Sequence, residues 1–241
     1  MATVLLVRHG LTELTGLVLA GWTPGVHLDE RGRGQAAALA DRLRPVPLAA
    51  IVSSPLERCQ ETAAQIAAGR HDAQVLTDAG LGECRYGDWT GQELKQLAKD
   101  PLWRVVQSHP SAAVFPGAEG EPLRVTQERA VAAIRAWNDR LSRAHGQEVT
   151  WLACSHGDVI KAIVADAAGM HLDLFQRIVV APCSLTVIHY TETRPFLARL
   201  NDVGGAVDDL LPPKRQPRSR SKPGSFRSGG SVGDATVGGG G

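Results

Sequence analysis

The chain has 241 residues, 43% of them hydrophobic and 21% charged, with a formal net charge of +1. This composition belongs to a folding globular chain, not a disordered or polyelectrolyte one, and no bulk charge calls for nucleic acid or an acidic surface. No apolar run approaches the roughly 20 residues of a membrane-spanning helix, so neither a membrane nor a nucleic-acid partner is expected.

In chain order, Thr3–Val7 is a short continuous apolar run and predicts a buried strand. Arg31–Leu43, rich in Ala with Leu39 and Leu43 four apart, predicts a helix that stops before Pro45. Ala50–Ser53 predicts a second strand. Leu56–Ala68 predicts a helix, with Ser54 as its cap and Pro55 at its first position. Gln74–Thr77 is a candidate third strand, and Gln92–Lys99 a short helix. Prolines 101, 110 and 116 make Asp100–Glu121 read as a loop or lid. Glu121–His145 predicts a long amphipathic helix with Val125, Ala132, Ile134, Trp137 and Leu141 on one side. Val149–Cys154 predicts a strand, Asp158–Ala168 a helix, and Ser184–Tyr190 a strand that pairs with Phe196–Leu200.

Strands that alternate with helices predict an α/β fold: a three-layer sandwich with a mostly parallel mixed sheet flanked by helices, over residues 1–211. Past Leu211, Pro, Ser, Arg and Gly dominate. Lys214, Arg215, Arg218, Arg220, Lys222 and Arg227 stand there against Asp234 alone. That composition predicts a disordered basic tail over 212–241. Cys59, Cys84, Cys154 and Cys183 form no C-x-x-C pair, so no zinc is expected. Met1–Val7 is too short for a signal peptide, and a cytoplasmic protein with reduced thiols is expected.

Three clusters follow predicted strand ends: Arg8-His9-Gly10, Ser53-Ser54-Pro55-Leu56-Glu57-Arg58 and Ser155-His156-Gly157. Ligands of open parallel sheets bind at the carboxyl ends of strands, so the clusters can converge on one pocket. Two arginines, two histidines and the helix starts after Ser54 and Gly157 would favour a dianion there. Gly10 and Gly157 would let backbone approach it. Phosphoryl transfer needs this arrangement, because its catalyst mainly positions groups and offsets charge, while a neutral imidazole can attack phosphorus.

These three segments, with Thr62, and a fourth, Leu81-Gly-Glu83-Cys-Arg-Tyr-Gly87-Asp-Trp-Thr-Gly91, resemble the ordered signatures of the histidine phosphatase (phosphoglycerate mutase-like) superfamily. Leu28-Asp-Glu-Arg-Gly32, with Gln35 and Ala36, is similar to the family's early helix start. The resemblance implies that His9 becomes the phosphohistidine. It implies that Arg8, Arg58 and His156 bind the phosphoryl oxygens. It makes Glu83 the acid–base group, with a raised pKa, and puts Thr15 and Gly21 in the pocket lining. No metal or organic cofactor is implied. The partner implied is a small phosphorylated metabolite: a sugar phosphate, a phosphoglycerate derivative or a glycosyl-inositol phosphate. A homodimer is left open.

The departures bear on which branch applies. The mutase branch commonly reads R-H-G-E-T-E-W-N, where this chain has Leu11, Leu14 and Thr15, and Cys84 stands where an arginine commonly follows the glutamate. Asp100–Glu121 holds no paired arginines to clamp a bisphosphorylated intermediate. The reading is therefore metal-independent hydrolysis of a phosphomonoester, with a phosphomutase and a catalytically silent phospholigand-binding module as alternatives. The acid phosphatase branch has His-Asp at the third signature, but Gly157 separates His156 from Asp158, so Glu83 is the expected proton donor. The body of the substrate is expected to touch the Asp100–Glu121 segment. His27 is a candidate for the pocket rim, and Trp22 or Trp103 for its wall.

Overall fold

A computed structural model describes residues 1–71, 73–145, 148–205 and 211. The predicted tail over 212–241 lies outside these residues. Six strands form one sheet: β1 (Ala2–Arg8), β2 (Ile51–Ser53), β3 (Val75–Thr77), β4 (Val149–Ser155), β5 (Leu185–Tyr190) and β6 (Pro195–Asp202), in the order β3-β2-β4-β1-β5-β6. The pairs β3/β2, β2/β4 and β4/β1 are parallel; β1/β5 and β5/β6 are antiparallel.

Side chains alternate across a strand, so β1 feeds both faces of the sheet. Val4 and Leu6 join Val52, Trp151 and Ala153 on one face. Leu5 and Val7 join Ile51, Leu152 and Cys154 on the other. The first face is covered by α5 (Leu123–His145) and α6 (Gly157–Ala167), the second by α1 (Glu30–Leu43) and α2 (Glu57–Ala67). The expected three-layer α/β sandwich is therefore present. Trp151 is fully buried, and its indole N–H donates to Asn138 Oδ1 on α5 at 2.8 Å, so the central strand loses no polar group to the core.

Several local expectations are corrected. The cap of α2 is Leu56, with no side-chain bond, and Pro55 precedes it rather than opening the helix. Ser54 is elsewhere engaged: its hydroxyl pairs with His156 Nε2 at 2.8 Å. The predicted helix over Gln92–Lys99 shrinks to one turn, α3 (Leu94–Leu97). The predicted loop Asp100–Glu121 contains a real helix, α4 (Pro101–Ser108), capped by Asp100, and a 3-10 turn Pro110–Ala112. Pro101 sits at the first helical position and Pro110 opens the turn, where a missing N–H costs nothing. On α5 the buried stripe runs through Ala130, Ile134, Trp137 and Leu141; Ala132 faces out and Val125 is only half-buried.

No described helix is long and apolar enough to cross a membrane.

Candidate active site

The sheet register sets the site. Arg8 pairs with Ser155 and Ser53 with Cys154, so the chain leaves β1, β2 and β4 side by side at their carboxyl ends. The His9 N–H donates to Ser155 O at 3.0 Å, which fixes the two histidine segments against each other. The rings of His9 and His156 meet edge to face, with centroids 5.3 Å apart. Arg8, His9, Arg58 and Glu83 line one cleft of about 420 Å³, with Gly157 and Asp158 at the start of α6. That volume is within the usual range for small-molecule sites.

The turn after β1 is braced by the start of α1. Asp29 caps the helix by accepting the Gly32 N–H at 2.7 Å. The Asp29 N–H donates to Leu11 O, and Gln35 Oε1 accepts the Leu11 N–H at 3.1 Å. A Cβ on Gly32 would overlap Leu11 O, and one on Gly10 would lie 2.7 Å from Gly32 O. These close approaches are the physical reason for the Leu28–Gln35 pattern. The Gly10 N–H donates to Thr62 Oγ1, which in turn donates to Arg58 O at 2.7 Å.

His9 Nδ1 pairs with Gly10 O at 2.8 Å. A carbonyl only accepts, so Nδ1 carries the proton and Nε2 is a bare lone pair. The Arg58 Nε–H points to that lone pair at 3.3 Å. Burial first, then the guanidiniums of Arg58 and Arg8, hold the His9 pKa well below its ordinary value. The ring is neutral and aimed into the cleft. His156 is likewise held well below its ordinary value, by burial and then by Arg58. It sits between Arg58 Nη2 at 3.2 Å on Nδ1 and Ser54 Oγ on Nε2.

Arg58 is only 2% exposed, and its Nη2 also donates to Gly21 O at 2.9 Å. Its Nη1 and the Nε of Arg8 are buried with no hydrogen-bond partner among the described residues. Buried orphan donors on two guanidiniums cost free energy unless something accepts from them, and their chemistry suits an anion. Arg8 Nη1 donates to Val180 O at 2.6 Å, which fixes its fork.

Glu83 lies across from these cations, its Oε2 3.6 Å from His156 Nδ1. Burial, and next the Asp158 carboxylate, raise its pKa to about 7, so the acid and base forms are both populated near neutrality. Its segment is clamped by Arg129 of α5, which donates to the carbonyls of Gly80, Gly82 and Glu83 at 2.9 Å each and pairs with Glu121 at 2.6 Å.

The structure therefore brings Arg8, His9, Arg58, Glu83 and His156 together, with Thr15 and Gly21 in the lining. Other expectations fail. No residue of Asp100–Glu121 lines the cleft; nor do His27, Trp22 and Trp103. The outer walls are Leu14–Gly21 and Gln176–Val180, with Lys161 of α6. Trp22 instead donates its indole N–H to Glu83 O at 2.6 Å and stacks under Arg85. Arg129, Ser54, Asp158 and Lys161 were missed as site residues. No motif flags Arg129, and the position of Lys161 four residues after Gly157 is the one sequence signal, because it repeats the α6 face. Among the described residues no group of His, Cys, Asp and Glu side chains is arranged to hold a metal.

Comparison with known proteins gives consistent relatives. The model of the histidine phosphatase superfamily (branch 1) matches residues 4–203. An uncharacterized Mycobacterium tuberculosis protein, Rv0525, is 51% identical over 77 residues; the match spans 32% of this chain and only 38% of that relative's length. Phosphoserine phosphatase 1 of Hydrogenobacter thermophilus is 28% identical over 204 residues, covering 83% of this chain and 92% of that protein. The solved structure of Bacillus stearothermophilus YhfR is 30% identical with a TM-score of 0.76, covering 85% of this chain and 98% of that one.

Proposed function

The chain belongs to the histidine phosphatase superfamily, and on that premise we propose that it hydrolyses a small phosphomonoester, without a metal, through a phosphohistidine on His9. The observation that carries this reading is the His9 tautomer: Nδ1 is tied to Gly10 O, and the Nε2 lone pair, met only by the Arg58 Nε–H at a long 3.3 Å, lies beside orphan guanidinium N–H donors.

In the first step Nε2 attacks phosphorus in line and the ester oxygen leaves. Arg8, Arg58 and His156 surround the equatorial oxygens and offset the charge that spreads over them. Glu83, in its acid form, gives its proton to the leaving oxygen, so an alcohol departs. In the second step the Glu83 carboxylate takes a proton from water as that water attacks phosphorus. The P–N bond breaks, inorganic phosphate leaves, and neutral His9 is restored. A pKa near 7 suits a group that must be an acid in one step and a base in the next.

Phosphatase names among the relatives support hydrolysis; phosphoglycerate mutase names occur there too. A mutase must hold its phosphoenzyme against water with extra cations, and beyond Arg8 and Arg58 the cleft lining adds only Lys161 among Lys and Arg side chains. That composition favours the hydrolase.

The test is phosphate release from a panel of small phosphomonoesters with chelator present and His9→Ala as control. Release that survives chelator and vanishes in the variant is expected. Release at the wild-type rate from His9→Ala would sink the mechanism. Transfer to a second substrate in place of release would select the mutase.

A further inference from the structure

Beyond the phosphoryl end, the cleft wall formed by α6 carries a fixed pair of opposite charges. Asp158 directly follows Gly157, and Lys161 lies one turn on, about 4.5 Å along the helix axis. The two side chains are mostly buried and 3.4 Å apart. Neither floats. Asp158 Oδ2 accepts the Tyr86 hydroxyl at 2.8 Å. The Lys161 ammonium donates to Gln176 Oε1 at 3.1 Å and lies 5.4 Å from the Phe175 ring centre. Both residues line the cleft.

Charge balance says what this pair is for. Arg8 and Arg58 already match a phosphoryl dianion. A carboxylate beside a dianion site is unfavourable for a plain phosphate binder, and Asp158 is tolerated there only with a cation to meet it. Lys161 meets it from within the protein, yet a carboxylate has about four acceptor positions and an ammonium three donors, so each partner keeps capacity for a ligand. The complement of a fixed +/− pair is a fixed −/+ pair. Resting on the phosphatase reading above, we propose that Asp158 and Lys161 are specificity-determining residues that select a leaving group bearing both an ammonium and a carboxylate, as in an O-phosphorylated amino acid. Asp158 takes the ammonium and Lys161 the carboxylate. The short reach from Gly157 to Lys161 fits a compact substrate in which both groups lie within a few bonds of the ester oxygen.

Four esters test it: O-phosphoserine carries both groups, phosphoethanolamine the ammonium alone, 3-phosphoglycerate the carboxylate alone, and glycerol 3-phosphate neither. The wild type is expected to favour O-phosphoserine over each single-group ester by about tenfold or more in kcat/KM, the worth of one well-placed charged contact. Lys161→Met should erase the preference over phosphoethanolamine, Asp158→Asn the preference over 3-phosphoglycerate, and Lys161→Arg should largely keep both. Ratios between substrates on one protein cancel any effect of Asp158 on Glu83 that all four share. Equal kcat/KM values in the wild type, or variants that slow all four esters in parallel, would overturn the proposal. p-Nitrophenyl phosphate separates the two readings, since its turnover needs the phosphoryl machinery alone. If no ester is turned over, the hydrolase reading fails, while calorimetric dissociation constants for the same four compounds still decide whether the pair selects a zwitterion.

Discussion

The placement of His9 suits it to the nucleophile's role proposed above. Its proton is held on Nδ1 by Gly10 O, and burial with two neighbouring guanidiniums keeps the ring neutral. Glu83 is the complementary group, a buried carboxyl whose pKa is raised to about 7 by burial and by Asp158. In the proposed mechanism an alkyl phosphate needs the acid form of Glu83 for the first step, so kcat should fall as pH rises through about 7. Glu83→Gln should lose roughly 10²- to 10³-fold in kcat on an alkyl ester, and much less on p-nitrophenyl phosphate, whose leaving group needs no proton. A pH–rate profile on both substrates checks this; an equal loss on the two would remove Glu83 from the acid role. Ser54→Ala should act chiefly on the site, because its hydroxyl pairs with His156 Nε2 at 2.8 Å and accepts the Leu56 N–H ahead of α2 only at 3.3 Å. A several-fold rise in KM for a phosphomonoester, with a melting temperature lowered by about the worth of one buried neutral hydrogen bond, is the expected result.

At the scale of elements, the site is a product of register. Parallel pairing of β1 with β4 and of β4 with β2 sets three strand ends level, and that places Arg8, His9 and Arg58 on one cleft, with the buried His156 held between Arg58 and Ser54. The turn after β1 holds its shape because α1 begins against it at Gly32. Gly32→Ala would drive a methyl group into Leu11 O, costing about 1–3 kcal/mol and tilting His9 off line. Thermal melts and phosphate release should therefore fall together; a variant with wild-type values for both would mean the turn does not depend on this contact. This level of organisation was largely legible in the sequence, since buried strands, helix starts and the clusters after them follow from local patterns. What was not legible depends on three-dimensional competition. Ser54 looked like a helix cap until the imidazole of His156 took its hydroxyl. Pro101 looked like a breaker until Asp100 made it the first residue of α4. Arg129 acts from the middle of an amphipathic helix, 46 residues from the carbonyl of Glu83 that it holds, and no local pattern marks it. The cleft walls come from Leu14–Gly21 and Gln176–Val180, far apart in sequence, so the Asp100–Glu121 segment was a poor guess for them.

For the whole molecule, the buried titratable groups of the candidate site make a contribution to stability that depends on pH. His9 and His156 are held below the ordinary 6.5, so as pH falls through that value the unfolded chain takes up protons that the buried rings refuse, and stability falls. Glu83 acts oppositely. Its folded pKa of about 7 lies above the ordinary 4.5, so its contribution is fully present below 4.5 and is lost as pH rises through 7. Glu83→Gln should thus melt higher than the wild type at pH 8, with the advantage shrinking toward pH 5; a lower melting temperature at pH 8 would mean the carboxylate is not strained by burial. The central claim is a covalent phosphohistidine at residue 9, and the direct measurement is rapid quenching of turnover with a ³²P-labelled phosphomonoester. A label on the protein that is stable in alkali, labile in acid and absent from His9→Ala is the predicted result. An acid-stable label, a label on another residue, or full turnover with no labelled protein at any quench time would contradict it.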